Sequence, residues 1–218
     1  MGVRASGGRE AHRAATAFDI ERVALQLFVD RGYDRVTAEQ IAQAAGVSVR
    51  TFYRYFPEGK EGIVLMETRR GVEIFAEELA LRPDDEAAHV AVREAALASL
   101  RRVDAARDDG GAIDIAGARR LYAQVESSNA SLLARLIGER VLLLEGLTGE
   151  VGRRMALDPA RDPRPRLLLQ SVNTAITVGW FTMQASADSG RSALTELALD
   201  TLESGFADSF TRPTNRSL

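Results

Sequence analysis

The sequence predicts an all-α fold, and three observations support this prediction. Apolar residues recur at three- and four-residue steps, as from Ile20 to Phe28, which is the spacing of one helix face. The periodic segments are separated by short breaks that contain Gly, Asp or Pro. No segment alternates apolar and polar residues with the period of two that a half-buried strand shows. We therefore expect an N-terminal group of three helices followed by a larger C-terminal helical domain.

The composition indicates a folded protein of the cytoplasm without a membrane partner. Of its 218 residues, 45% are hydrophobic and 27% are charged, a balance typical of globular proteins. The most apolar stretch, 167–187, is interrupted by Gln170 and Asn173 and is too polar for a spanning helix of about 20 residues. The chain has no cysteine, which excludes disulfides and thiolate zinc sites.

Charge is unevenly distributed along the chain. Residues 1–60 carry nine Arg or Lys against seven Asp or Glu, whereas the remainder carries 19 against 24. A surface that binds nucleic acid needs positive charge opposite the phosphates. We therefore expect any such surface in the first quarter of the chain.

The first two helices have recognisable start and stop signals. Residues 1–15 are rich in Gly and Arg and lack periodicity, so they are predicted to be a flexible tail. A first helix of about residues 17–31 follows and ends at Gly32. Thr37 is placed to cap the amides near Gln40 and so begins a second helix, which ends near Ala44.

The later elements continue the helical pattern. Gly46 suits a tight turn, and Ser48 can cap a third helix that runs to about Tyr55. A fourth helix of about residues 60–81 is predicted to connect two domains. Further helices are predicted at about 85–106, 112–125, 129–157, 164–187 and 191–210. The predicted boundaries are 1–15 for the tail, 16–60 for the N-terminal domain, 61–83 for the connecting helix and 84–218 for the C-terminal domain.

Residues 38–57 have the spacing of a helix-turn-helix. Ile41 and Ala42 fall on the inner face of its first helix, while Phe52 and Tyr55 fall on the inner face of its second. A side chain larger than that of Ala42 would push the two helices apart, and a Cβ at Gly46 would strain the turn. The motif therefore predicts a DNA-binding domain.

The second helix of this motif has a cationic outer face. With Phe52 pointing inward, Arg50 and Arg54 point outward at about 100° per residue, and Thr51 and Tyr53 lie on the flanks. Arginine can pair with guanine edges in the major groove, and a threonine methyl group can contact thymine. Tyrosine hydroxyls are better suited to phosphate oxygens. This face therefore predicts contacts with double-stranded DNA.

The run from Thr37 to Phe56, TAEQIAQAAGVSVRTFYRYF, resembles the signature of the tetracycline-repressor (TetR) family. The resemblance covers about residues 17–75 and implies a DNA contact from a lysine at the start of the fourth helix, for which Lys60 is the candidate. The family more often has two residues between the phenylalanine and that lysine, whereas this chain has three. The predicted DNA-contacting residues are Thr37, Ser48, Arg50, Thr51, Tyr53, Arg54, Tyr55 and Lys60.

The resemblance also implies a C-terminal domain that dimerises and binds a ligand. The two last helices of each subunit would form a four-helix bundle in a homodimer, and a dimer would present two reading helices to a pseudo-palindromic operator. Ordinary packing within one chain is the alternative explanation for the apolar spacing of these helices. An unidentified apolar or amphipathic small molecule would be the effector, with Tyr122, Leu136, Leu143, Asn173, Trp180 and Phe181 as candidate lining residues.

Other functions find little support in the sequence. We find no nucleophile elbow, phosphate loop, HExxH sequence or dinucleotide-binding fingerprint, so we do not expect an enzyme or a cofactor. The chain has two histidines, His12 and His89, so we do not expect a His-rich metal site. A DNA-binding architectural or interaction protein without a small-molecule ligand remains the main alternative, and it would lack a cavity among residues 85–184.

Overall fold

The structure is a computed structural model that describes residues 4–108, 117, 121, 124–125, 129–185 and 191–204. These residues form helices and connecting turns and contain no strand, which confirms the all-α prediction. A short 3₁₀ helix, Tyr33–Arg35, separates the first two helices. The helices are α1 (Arg4–Arg31), α2 (Ala38–Ala44), α3 (Val49–Tyr55), α4 (Lys60–Ala80), α5 (Ala88–Asp108), α6 (Ala130–Glu145), α7 (Thr148–Met155), α8 (Arg164–Ala185) and α9 (Arg191–Glu203).

The chain divides into two compact units. The first comprises residues 1–74 and 102–143, and the second comprises residues 75–101 and 144–218. This division places residues 102–143 with the N-terminal segment, whereas the sequence places them in a C-terminal domain. The predicted domain boundaries stay a prediction. None of the described helices is long and apolar enough to cross a membrane.

Helix α1 is longer than the sequence predicts. It ends at Arg31, as expected, because Gly32 adopts a positive φ of 90° that continues no α-helix. Its start, however, is at Arg4 rather than near residue 17, so most of the predicted flexible tail is helical. Residues 9–15 include Ala, Arg and Glu, which favour helix once a following segment has nucleated it.

The predicted helix of residues 129–157 is two helices in the structure. Helix α6 ends at Glu145 and α7 begins at Thr148. Gly146 has low helix propensity, and the amide of Leu147 bonds to the carbonyl of Leu144, only three residues back, which closes the turn early. Of the predicted 112–125 helix, the described positions 117, 121, 124 and 125 are helical.

The core of the first unit fixes the positions of α2 and α3. Side chains from all four N-terminal helices are inaccessible to solvent, and each contributes about 1.5–3 kcal/mol through burial. They are Ile20, Leu25 and Phe28 of α1, Ile41 of α2, Phe52 of α3, and Ile63 and Leu65 of α4. The two short helices are therefore held by packing rather than by their own length, which is below that of a stable isolated helix.

The second unit is built on α8 and α9, which pack against each other, with α7 against α8. Its buried side chains include Val92 of α5, Val151 of α7, Leu169 and Trp180 of α8, and Leu199 of α9. Inside α7, a Cβ at Gly152 would come within 2.9 Å of the Leu157 carbonyl oxygen, so only glycine admits this loop. The loop that follows α7 therefore packs closely against the helix at Gly152.

Candidate nucleic-acid interface

The turn between α2 and α3 has the geometry that the sequence predicts. Gly46 adopts a φ of 68°, in the left-handed region that favours glycine. The amide of Val47 donates to the carbonyl of Ala42 at 2.9 Å, and the side chain of Ala42 is buried. The short side chain of Ala42 thus lets the corner close, as predicted.

Both helices of the motif begin with a side-chain cap. The Thr37 hydroxyl accepts from the amide of Gln40 at 3.3 Å, while the Gln40 side-chain oxygen accepts from the Thr37 amide at 3.0 Å. The Ser48 hydroxyl accepts from the amide of Thr51 at 3.1 Å and lies 2.9 Å from the Thr51 hydroxyl. The predicted caps at Thr37 and Ser48 are confirmed, and a cap of this kind stabilises a helix by about 0.5–2 kcal/mol.

The inner face of α3 differs from the predicted face by one residue. Phe52 is buried as predicted, but its inward partner is Phe56, whose ring centroid lies 5.7 Å away in a stacked arrangement. Tyr55 was predicted on this face and is only half-buried. The reason is helical geometry, because a residue four positions on lies closer to the direction of Phe52 than a residue three positions on.

The outer face of α3 carries positive charge without a carboxylate to neutralise it. Arg50 and Arg54 are exposed, and within the described part of the chain neither forms an ion pair. The Arg54 guanidinium lies 5.1 Å from the centre of the Tyr55 ring. Tyr53 is 45% exposed and packs edge-on against Phe52. This face can accept phosphates or base edges without first breaking a salt bridge.

Lys60 is held inside the module by three contacts. Its ammonium donates to the carbonyl of Tyr33 at 2.9 Å and to that of Val36 at 3.1 Å, and it lies 4.3 Å from the centre of the Tyr33 ring. Lys60 would have to give up some of these contacts to reach a phosphate. The phosphate contact that the resemblance implies for Lys60 therefore stays a prediction.

A network of charged side chains supports the loop after α3. Arg135 of α6 donates to Glu58 in this loop and to Glu61 of α4. Arg69 of α4 donates to Glu58 at 3.0 Å and to Glu139 at 2.7 Å. The partners in α6 lie some seventy residues away in sequence, so no local pattern could have identified the network. It pairs Glu58 with two arginines that do not belong to α3.

Helices α1 and α4 are joined by a buried carboxylate. Glu21 is 1% exposed and accepts from Arg70 at 3.0 Å, while Arg70 also donates to Glu67 at 2.7 Å. Burial raises the pKa of Glu21, and the hydrogen bond from Arg70 opposes this shift. Its second carboxylate oxygen has no hydrogen-bond partner within the described structure. No local sequence pattern indicates this pair.

The candidate ligand-lining residues fall into both units. Leu136 is buried and Leu143 half-buried in the first unit, whereas Asn173, Trp180 and Phe181 belong to the second. Tyr122 lies outside the described residues. Asn173 is 7% exposed, and its side-chain oxygen has no partner within the described structure. Their role in ligand binding stays a prediction.

The second unit contains a crevice whose lining includes none of the described candidate residues. The crevice has a volume of 620 Å³ and lies among the start of α5, the end of α7, the first half of α8 and the end of α9. Its walls are mainly apolar, with contributions from Ala88, Met155, Leu157, Leu167, Leu168, Val172, Leu199 and Leu202. Pockets for small organic ligands typically have volumes of about 300–1,000 Å³.

The arginines at the crevice are already neutralised by protein groups. Arg93 donates to Asp200 at 2.6 Å and to Glu94 at 2.7 Å. Arg154 is almost fully buried and donates to the carbonyl oxygens of Leu79, Arg82 and Pro83. Because the Arg93 guanidinium is paired with Asp200 and that of Arg154 with Glu150, the crevice favours an apolar occupant over a strongly anionic one.

Helices α8 and α9 also expose an apolar groove on their outer side. Leu194, Leu197 and Ala198 of α9 line it opposite Val178 of α8, and Leu197 is 63% exposed. The inward face of α9 consists instead of Thr195 and Leu199. Leu197, on one of the two helices for which the resemblance implies a dimer bundle, is therefore accessible to a partner.

Comparison with known proteins gives concordant matches. Residues 20–65 match the family described as bacterial regulatory proteins, tetR family. The chain is 29% identical over 212 residues to the HTH-type transcriptional regulator TcmR of Streptomyces glaucescens, covering 95% of this chain and 91% of that one.

Two solved structures share the fold. The fatty acid degradation regulator FadR of Bacillus halodurans matches with a TM-score of 0.56 at 18% identity, over 88% of this chain and 96% of that one. FadR of Thermus thermophilus, a TetR-family repressor solved with lauroyl-CoA, matches with a TM-score of 0.55 at 18% identity, over 87% and 94%. The all-helical arrangement is thus one that known regulators adopt.

Proposed function

We propose that this chain, which belongs to the TetR family of bacterial regulatory proteins and is a DNA-binding transcription regulator, represses its target genes by reading an operator with α3. A small apolar or amphipathic molecule bound in the second unit would release the operator. The observation that carries the proposal is the capped helix-turn-helix whose outer face presents Arg50 and Arg54 without neutralising carboxylates.

The proposed contacts divide into reading and positioning residues. Arg50, Arg54 and Thr51 lie on the outward side of α3, where a helix in the major groove meets base edges. Thr37, Ser48, Tyr53 and Tyr55 would bind phosphate oxygens, which position the module without reading sequence. Lys60 would support the module from within and reach a phosphate only by exchanging its present partners.

A homodimer is the proposed DNA-binding form. The apolar groove of α8 and α9 exposes Leu197 and Val178, and a second copy of the same groove would bury both. A dimer with two-fold symmetry places two α3 helices on half-sites about one helical turn apart, which requires an inverted repeat in the operator.

The crevice is the proposed effector site. Its size suits a small organic molecule, and its walls suit an apolar one. It also favours a ligand-responsive regulator over an architectural DNA binder, which would need no cavity. Because α4 runs unbroken from Lys60 to Ala80 and has residues in both units, it is the proposed route by which occupancy reaches α3.

Thermodynamic linkage sets the size of the proposed response. A tenfold loss of operator affinity requires about 1.4 kcal/mol of differential effector binding between two conformations. The same factor must appear in reverse, so operator DNA should weaken effector binding tenfold. An effector that binds free and operator-bound protein equally would contradict induction and leave the DNA-reading proposal intact.

Selection of duplexes from a randomised library by the full-length protein tests the function. We expect an enriched inverted repeat whose half-site centres are about 10 bp or a multiple apart. The Arg50→Ala variant should fail to enrich the same repeat, while Arg22→Ala, an exposed change on α1, should enrich it normally. A library that stays random after repeated selection with wild-type protein would contradict sequence-specific regulation.

A further inference from the structure

We propose that Arg13, in the N-terminal extension of α1, is a further DNA-contacting residue that binds a backbone phosphate beside the groove entered by α3. The inference rests on the proposed function, because it assumes that α3 meets duplex DNA. It concerns a segment in which the sequence predicted only a flexible tail.

The helical register of α1 directs Arg13 toward α3. Arg13 precedes the buried Ile20 by seven residues, about 20° short of two full turns, so both side chains lie on one face of α1. Ile20 and Ala24 on this face are inaccessible and pack in the core of the first unit. Arg13 lies nearly two turns before Ile20 and is exposed. The extension therefore continues the inner face of α1 past the end of the core.

Arg13 meets the last residue of α3. Its guanidinium carbon lies 6.0 Å from the centre of the Tyr55 ring, and that of Arg54 lies 5.1 Å from the same centre. Attraction between a guanidinium and an aromatic ring limits the positions that the guanidinium samples. Two positive charges are thus gathered at one end of the reading helix.

Arg13 and Arg54 lack the carboxylate partners that three other arginines of the same unit have. Arg69, Arg70 and Arg135 each donate to two glutamates. Arg13 and Arg54 form no ion pair within the described part of the chain. An anion would stabilise two positive charges that lie close together without a counterion. A DNA phosphate beside α3 would be such an anion.

The position of Arg13 favours a phosphate over a base edge as its DNA partner. Arg13 belongs to α1 and lies beside the final residue of α3, whereas base edges are reached from the outward face marked by Arg50. A phosphate contact adds affinity for any duplex and makes binding more sensitive to salt, but it adds no direct sequence preference.

Binding of full-length variants to a mixed-sequence duplex over a series of salt concentrations tests the inference. For Arg13→Ala, we expect the slope of log affinity against log salt to fall by about 0.9 for each phosphate that the protein no longer neutralises. Arg13→Lys should keep the wild-type slope because it keeps the charge. Arg22→Ala is the matched control, since Arg22 is exposed and lies about half a turn around α1 from Arg13.

The outcomes separate this inference from the proposed function. An unchanged slope for Arg13→Ala, or an equal fall for Arg22→Ala, would overturn the phosphate contact even if Arg50→Ala abolishes operator selection. A wild-type protein that binds no duplex at any salt concentration would overturn both. Thermal melting of each variant shows whether a lower slope accompanies an intact fold.

Discussion

The ammonium of Lys60 donates to the carbonyl oxygen of Tyr33 at 2.9 Å and lies 4.3 Å from the centre of the same residue's ring. A further bond to the carbonyl of Val36 connects the first residue of α4 to the residue just before the Thr37 cap. One side chain therefore ties the start of α4 to the segment from which α2 begins.

We expect Lys60→Met to destabilise the first unit, because the three contacts of the ammonium are lost. Removal of the ammonium leaves two backbone carbonyls without their charged donor, at a cost of about 1–3 kcal/mol for a buried acceptor. Urea unfolding measures the loss, and titration of a mixed-sequence duplex at several salt concentrations measures the slope. An unchanged free energy of unfolding would contradict the structural role of Lys60, and a slope lower by about 0.9 per subunit would in addition establish the phosphate contact that the family resemblance implies.

The buried Glu21 predicts an unusual direction of pH dependence. Because burial raises its pKa above 4.5, folded protein holds this proton more tightly than the unfolded chain does. The stabilisation from this group is present below pH 4.5 and is lost as pH rises through the higher folded-state pKa. Glu21→Gln, which cannot titrate, should therefore gain stability relative to wild type as pH rises from 4.5 toward neutrality.

Glu145 provides a control of opposite sign. The hydrogen bond from Arg166 lowers the pKa of Glu145, so its contribution to stability is lost as pH falls. Glu145→Gln should consequently gain stability relative to wild type only as the pH falls. Urea unfolding at matched pH values compares the two variants, and a stability difference for Glu21→Gln that does not vary with pH would refute the prediction.

Leu197→Glu should dissociate the dimer. In the proposed dimer, the glutamate introduced in each subunit would be buried against the second copy and desolvated without a cationic partner. The leucine that it replaces contributes roughly 2 kcal/mol when buried. Sedimentation at micromolar concentration should give dimeric wild type and monomeric variant. Leu81→Glu, at a leucine that is 77% exposed and lies outside the groove, should remain dimeric. A monomeric wild type would contradict the proposed DNA-binding form.

Leu168→Trp should fill the crevice while leaving DNA binding intact. The larger side chain occupies space that an apolar ligand would use, so affinity for the neutral dye Nile red should fall roughly tenfold, or about 1.4 kcal/mol. Leu142→Trp, at an exposed position of the first unit, should bind the dye as wild type does. Equal dye affinity in wild type and Leu168→Trp would exclude the crevice as an apolar ligand site.

Local signals predicted the helix-turn-helix almost residue by residue. Gly32, Thr37, Gly46 and Ser48 each act on neighbouring amides or on their own φ, so their effects are visible within a few residues of sequence. The start of α1 was missed because the paired glycines at 7–8 suggested a tail. Local composition does not show that a helix already formed downstream can continue through such residues.

The supporting contacts of the site could not be predicted in the same way. Lys60 meets Tyr33 across 27 residues, and Arg135 meets Glu58 across 77. Helical periodicity states which face of a helix is apolar but not which distant side chain will lie against its polar face. The lining of the crevice was missed for the same reason, since its walls come from four separate helices.

Equilibrium binding of wild type and Arg50→Ala to the selected operator and to a scrambled duplex of equal composition measures the discrimination that α3 provides. We expect Arg50→Ala to lose about 1–3 kcal/mol of discrimination for each base that the arginine reads, with a smaller change on the scrambled duplex. Arg22→Ala should discriminate as wild type does. Equal losses by Arg50→Ala on both duplexes would contradict the central claim that the outer face of α3 reads the operator sequence.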